Sequence, residues 1–330
     1  MLRGYDTIKS IPILRIRPWW GALAWAVILA HVNAQKRLLM VHAHPDDESS
    51  QSSATLSRYV AEGAQVTLVT CTLGERGEIL VPDWTHFSPA ELGKHRIEEL
   101  ATALGIMGVT DHVWLGGPGT YHDTGMSTDD EGRVIPPGDA PEDSFWNADL
   151  LEAANHLVEV IRTRRPQVLS SYDPNGNYGH PDHIQAHRVT MYAAQLAAVG
   201  AHREDLGEPW QVSRILWNTI NPTMWEEAAR LAREEGLDLF GNRSEEPDIN
   251  RPSLSEVAVV VPYGEFLQQS TDALLSHRSQ VDPEQDFWRF YTIMRKLPTA
   301  GEAYLLAGGQ PFPASDGPAE DLFAGLDLSI

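Results

Sequence analysis

Two short segments of this chain concentrate imidazole and carboxylate side chains: His42-Ala43-His44-Pro45-Asp46-Asp47-Glu48 and Tyr178-Gly179-His180-Pro181-Asp182-His183. Two histidines and one carboxylate suit a divalent transition metal and leave coordination positions for water and substrate. In a tight turn His44 and Asp47, three residues apart, can converge on one ion while Asp46 points elsewhere, and His183 completes the set. No thiolate competes, since Cys71 is the single cysteine. Such a set holds zinc, and also ferrous iron in oxygenases. The remaining groups favour hydrolysis over oxygen chemistry. Asp46 can take a proton from a metal-bound water, and His180 can act as a cation or hydrogen-bond donor with Asp182 holding its ring. One His-Pro turn is usually only a turn. Two, each following an apolar strand, imply a shared site. His42, in line with its strand, reads as buried support, and His187, one helical turn past His183, as packing or ligand support.

The elements that must position these segments alternate. Apolar runs at 37–43, 66–72, 112–115 and 167–172 read as strands, and 49–63, 90–104, 150–164 and 183–199 as helices, the second capped by Ser88-Pro89. This rhythm predicts an α/β fold, a mostly parallel sheet with helices on both faces and its site beyond the carboxyl ends of the strands. The loop after the first strand has no Gly-rich dinucleotide turn; the histidines and acids stand there instead. Beyond residue 200 the pattern turns mixed, with strands at 214–220 and 257–261 and helices at 224–235 and 265–277. The acidic stretch at 245–248 reads as a solvated loop.

Charge narrows the partners. Asp and Glu number 46 against 25 Lys and Arg, a net −21 over 330 residues. Nucleic-acid binding and attachment to an anionic membrane both need clustered cations, so neither is expected. A small molecule is the expected partner. One cysteine rules out an intramolecular disulfide and fits a reducing cytoplasm. Residues 1–34 carry Arg3, Lys9, Arg15 and Arg17 ahead of a short apolar run at 19–30. That run falls short of the roughly 20 residues a membrane-spanning helix needs. The segment reads either as a signal-like extension or as a non-native start, with the functional domain occupying 35–330.

The segments VHAHPDDES, TCTLGERGEI and SYDPNGNYGHPDHIQAH, and the LLAGG near the end, resemble the LmbE-like (PIG-L) zinc-dependent N-acetylglucosaminyl deacetylases. The resemblance implies a Rossmann-like three-layer fold and metal-dependent removal of acetate from an amino sugar, with one Zn2+ per chain and Fe2+ as the other candidate. It implies His44, Asp47 and His183 as metal ligands and Asp46 as general base. His180 would stabilise the oxyanion or protonate the leaving amine, Tyr178 would polarise the amide carbonyl, and Asp182 would partner the histidine. Arg96 and Asp123 would contact inositol and sugar hydroxyls, and Glu78 in GERGE is a further candidate for the pocket lining. Within the family, LGGPGTYHDTGMS and NYGHPDH resemble the branch that deacetylates an acetylglucosaminyl-inositol for mycothiol synthesis. The other branch cleaves mycothiol S-conjugates and commonly has Lys near Gln51; some activity on both substrates is expected.

Overall fold

Arg37–His42 (β1) is apolar along nearly its whole length because both its faces are covered. Its alternate residues serve different layers. Leu39 and Val41 pack with Leu157 and Ile161 of α4 (Leu150–Arg164) and with Val189 and Ala193 of α5 (Pro181–Ala197). Leu38 and Met40 pack with Leu56 and Tyr59 of α2 (Ser53–Ala61) and with Leu100 and Met107 of α3 (Pro89–Met107). The computed structural model describes residues 36–237 and 252–328; the N-terminal extension and the acidic stretch at 245–248 lie outside the described residues.

Among the described residues the main sheet has seven strands. Beside β1 run β2 (Gln65–Thr70) and then β3 (Asp111–Trp114) on one side. On the other come β6 (Val168–Ser171), β7 (Arg214–Thr219), β9 (Gly301–Gly309) and β8 (Val257–Pro262). The pairings from β3 through β7 are parallel, while β9 is antiparallel to both β7 and β8. A small antiparallel hairpin, β4 (Ser127–Thr128) and β5 (Val134–Ile135), decorates the long loop after β3. The expected α/β architecture, mostly parallel with a mixed C-terminal part, is therefore the observed one. The chain steps from β1 outward to β3 and returns to β6 on β1's other side, so the β1/β6 boundary is a topological switch point, where α/β sheets form their crevices.

Several local features differ from the sequence reading. The helix expected over 49–63 breaks at Ser52, giving the short α1 (Asp47–Gln51) before α2. Among the described residues three α-helices follow β7 in the C-terminal part: α6 (Pro222–Glu234), α7 (Leu267–Leu275) and α8 (Asp286–Arg295). Neither α8 nor β9 stood out in the sequence. No helix among the described residues is long and apolar enough to cross a membrane.

Candidate active site

The two motif segments leave adjacent strands at the switch point. After β1 the chain turns through Pro45 and enters α1 with Asp46 at the N-cap, in a left-handed backbone conformation (φ 115°). After β6 a tight turn at Gly176–Gly179 precedes α5. Gly176 is required there, since its φ is +61° and a Cβ would meet the His183 Cβ at 2.7 Å. His180 caps α5 itself: its Nδ1 accepts from the Asp182 backbone N–H at 3.1 Å, with Pro181 in the first turn. A ring nitrogen that accepts carries no proton, so neutral His180 holds its hydrogen on Nε2 and can donate from there.

His44, Asp47 and His183 meet as the sequence predicts. Asp47 stands between the two imidazoles, with Oδ2 3.3 Å from His44 Nδ1 and Oδ1 3.3 Å from His183 Nε2. Ring nitrogens of His44, His180 and His183 also lie within 4.8 Å of one another, and all three side chains are buried. His44 Nε2 faces two further carboxylates, Asp182 Oδ2 at 3.1 Å and Asp123 Oδ1 at 3.6 Å. Burial opposes a positive charge on His44, yet Asp123, Asp182 and Asp47 raise its pKa well above the ordinary imidazole value. Burial likewise opposes ionisation of Asp47, but His183 and His44 hold its carboxyl well below the usual range. Three carboxylates converging on buried imidazoles make a pocket that favours a cation. The His183 Nε2, buried and without a hydrogen-bond partner, is a donor atom with lone-pair capacity to spare. The donor set fits a divalent metal ion.

Asp46 lies at the rim, its side chain about a quarter exposed, with Oδ2 2.9 Å from the Arg96 guanidinium. Burial pushes its carboxyl up to about 6, Arg96 opposes this and Asp47 adds to it. A base with a pKa near 6 is suited to accepting a proton at neutral pH. Tyr178 is 42 % exposed at the mouth, its ring edge-on to His183 at 5.1 Å and to His180 at 6.2 Å between centroids. For His180, burial, then the charges of His44 and His183, depress the pKa well below its usual value, so the ring is neutral.

Other expectations meet a different geometry. Asp182 joins His180 only through its backbone; its carboxylate accepts from Thr124 N–H at 2.9 Å and from the Thr124 hydroxyl, and faces His44. Arg96 is buried and directs its guanidinium at Asp46, the Pro45 carbonyl and the Gly74 carbonyl. Asp123 sits inside the cluster, accepting from the Arg76 and Gly125 backbone N–H groups. Glu78 is exposed and enters none of these contacts. Cys71 is buried in the core and its thiol is pushed up by that burial, which keeps it protonated.

Three supports escaped the sequence reading. The Tyr172 hydroxyl donates to Asp47 Oδ2 at 2.7 Å while its ring stacks on His183, 4.1 Å between centroids and 15° from parallel. Gln51 donates to Asp47 Oδ1 at 3.1 Å and accepts from Asn177 and Asn218. Thr124 holds Asp182. The i, i+4 spacing of Asp47 and Gln51 on one helix turn was the available signal for Gln51, and the position of Tyr172 at the carboxyl end of β6 the one for Tyr172.

Comparison with known proteins places the chain in a family. The profile of the family described as PIG-L, GlcNAc-PI de-N-acetylase, matches residues 39–194, a span containing both motif segments. A 1D-myo-inositol 2-acetamido-2-deoxy-alpha-D-glucopyranoside deacetylase of Kribbella flavida is 48% identical over 301 residues, 88% of this chain and 98% of that protein. The Nocardioides sp. protein of the same description is 45% identical over 299 residues, 88% and 99% of the two chains. Among solved structures, the N,N'-diacetylchitobiose deacetylase of Pyrococcus horikoshii superposes with a TM-score of 0.56 at 17% identity, covering 92% of this chain and 94% of that one. The 4-carboxy-2-hydroxymuconate hydratase GalB of Pseudomonas putida gives 0.54 at 16%, covering 85% and 99%. A deacetylase and a hydratase share this fold, so fold alone does not choose the reaction. Sequence identity over nearly the full length of its relatives does: the chain belongs to the PIG-L family and is a deacetylase.

Proposed function

We propose that this protein hydrolyses the acetamide of 1-O-(2-acetamido-2-deoxy-α-D-glucopyranosyl)-1D-myo-inositol to the free amine and acetate, as a step of mycothiol biosynthesis in the cytoplasm, with one zinc ion held by His44, Asp47 and His183. The observation that carries this reading is the convergence of these three side chains on one buried, cation-favouring pocket with Asp46 at its rim. The relatives at 41–48% identity that bear this substrate in their names support the choice of amino sugar. Ferrous iron suits the same donors.

When bound, the metal would supply Lewis acidity and lower the pKa of a coordinated water toward about 7. Asp46 then takes the proton of the attacking water. Its carboxylate is the one acid in the HPDD segment left outside the ligand set, and Arg96 fixes its orientation. Hydrogen bonds from Tyr178 and from the Nε2–H of His180 stabilise negative charge developing on the amide oxygen, an effect worth roughly 10²–10³ in rate per donor. The amine departs after protonation by Asp46, which returns the proton it took from the water, while neutral His180 donates a hydrogen bond only. Asp123 and Asp182 orient His44, and Asp123, Arg96 and Glu78 remain the candidates for substrate hydroxyl contacts.

The test is acetate release from the acetylglucosaminyl-inositol and, side by side, cleavage of a mycothiol S-conjugate. Metal-loaded enzyme should turn over the inositol glycoside faster, chelated enzyme should turn over neither, and added zinc should restore the rate. A faster rate on the S-conjugate, or full activity after the metal is stripped, overturns the reading.

A further inference from the structure

Asp46 is one of the few non-glycine residues among the described ones with a positive φ, and an L side chain is strained there. Something must hold the peptide in that conformation. Its backbone N–H donates to Glu48 Oε2 at 2.9 Å. The other oxygen of Glu48 accepts from His277 Nε2 at 2.8 Å, and both side chains are fully buried, 0% exposed. His277 lies just beyond the end of α7, 229 residues from Glu48 in sequence, and its Nδ1 has no hydrogen-bond partner. The imidazole thus makes one side-chain hydrogen bond, and that bond goes to the carboxylate that grips Asp46.

A fully buried acid–imidazole pair is a poor way to stabilise a fold, because the desolvation penalty consumes the attraction, and an apolar pair of similar volume does as well or better. An apolar pair cannot offer an acceptor to the Asp46 N–H. We infer that Glu48 and His277 are positioning residues for the deacetylation: His277 fixes the rotamer of Glu48, and Glu48 fixes the left-handed backbone that aims the Asp46 carboxylate. The inference rests on the assignment of Asp46 as the base. Neither residue touches the reacting atoms, so substrate binding and metal loading are not their task.

The deciding variant replaces both members, Glu48→Leu with His277→Leu, which leaves no orphan charge. It should fold, bind metal at the wild-type ratio and keep KM within about twofold, while kcat falls by about a hundredfold, the cost of a small misplacement of a reacting group. His277→Gln, which restores a donor to Glu48, should recover kcat to within a fewfold of wild type. A double variant with wild-type kcat overturns the inference, as does a His277→Gln protein no better than the double variant. Should the double variant not fold, Glu48→Ala leaves only a neutral imidazole behind and carries the same expectation and the same refutation. Asp46→Asn in parallel separates the two levels. If it retains full turnover, the base assignment is at fault; if it is inactive while the double variant is fully active, the positioning role alone fails.

Discussion

Replacing Tyr172 by phenylalanine removes one oxygen atom that three groups share. The hydroxyl donates to Asp47 Oδ2 at 2.7 Å, accepts from the Ala43 backbone N–H at 2.8 Å and lies 3.3 Å from His42 Nδ1. The stack of its ring on His183 would survive the change, so packing is nearly conserved and the effect isolates the hydroxyl. Losing a hydrogen bond to a carboxylate costs about 1.5–3 kcal/mol, and the buried Ala43 N–H left without an acceptor costs about 1–3 kcal/mol more. Some relaxation is shared between the two, so the apoprotein should lose about 2–5 kcal/mol, a large part of the roughly 5–15 kcal/mol that holds a domain together. Tyr172 and the His44 backbone N–H occupy Oδ2 of Asp47 and thereby turn Oδ1 toward His183. Supports of this kind around a metal ligand are worth about 10–100-fold in metal affinity. Urea unfolding of the metal-free protein reads the first quantity, and zinc titration against a chromophoric competing chelator reads the second. A Tyr172→Phe protein that is destabilised but binds zinc within about threefold of wild type would falsify the placement of Asp47 in the ligand set. One with unchanged stability would show that the hydroxyl does not hold Asp47 at all.

Removal of His183 by alanine should reduce bound metal below one per chain while the far-ultraviolet circular dichroism stays that of the wild type; stoichiometric metal in the variant refutes its role as ligand. Arg214 is fully buried and donates to the carbonyls of Gln310, Pro311, Leu322 and Ala324, so Arg214→Met strands four acceptors and should cost at least about 3 kcal/mol in urea unfolding, with 310–324 becoming the first site of limited proteolysis. Gly309 ends β9 with φ +83° where any Cβ would overlap the Ser213 carbonyl, so Gly309→Ala should destabilise by several times the roughly 1 kcal/mol that positive φ alone costs; a thermal midpoint equal to wild type would contradict that.

That His44, Asp47 and His183 would meet was legible in the sequence because each motif is local. Side chains three residues apart in a turn are neighbours however the rest folds, and two apolar strands predict which sheet edge the turns share. Contacts made across the sheet were not legible. Arg96, matched by resemblance to a substrate hydroxyl contact, bonds Asp46, which is 50 residues away. Asp182 is next but one to His180, and proximity suggested that its carboxylate would hold the ring; the helix start rotates it toward His44 and Thr124, leaving only its N–H for His180. Strand β9 carries no alternation to mark it, since the β7 and β8 ladders bury it as a central strand.

The mixed C-terminal part is more than an appendage to the parallel half. Helix α1 has five residues, too few to be stable alone, and yet carries Asp47, the proposed ligand, and follows the strained Asp46. Two of its carbonyls accept from the C-terminal part: Tyr291 on α8 donates its hydroxyl to the Ser50 carbonyl at 2.7 Å, and Arg295 donates to the Ser49 carbonyl at 3.1 Å. The next helix, α2, has its first N–H groups capped from β9, where the Glu302 carboxylate accepts from Ala54 and Thr55 at 2.9 and 2.8 Å. With His277 on Glu48, four side chains from residues 277–302 grip eight residues, 48–55, that directly follow Asp46 and Asp47. On the proposed mechanism the parallel half supplies the groups that do chemistry, and the C-terminal part holds the backbone that carries them. Mutations in α8 or β9 should therefore lower activity without touching any ligand, through the orientation of α1.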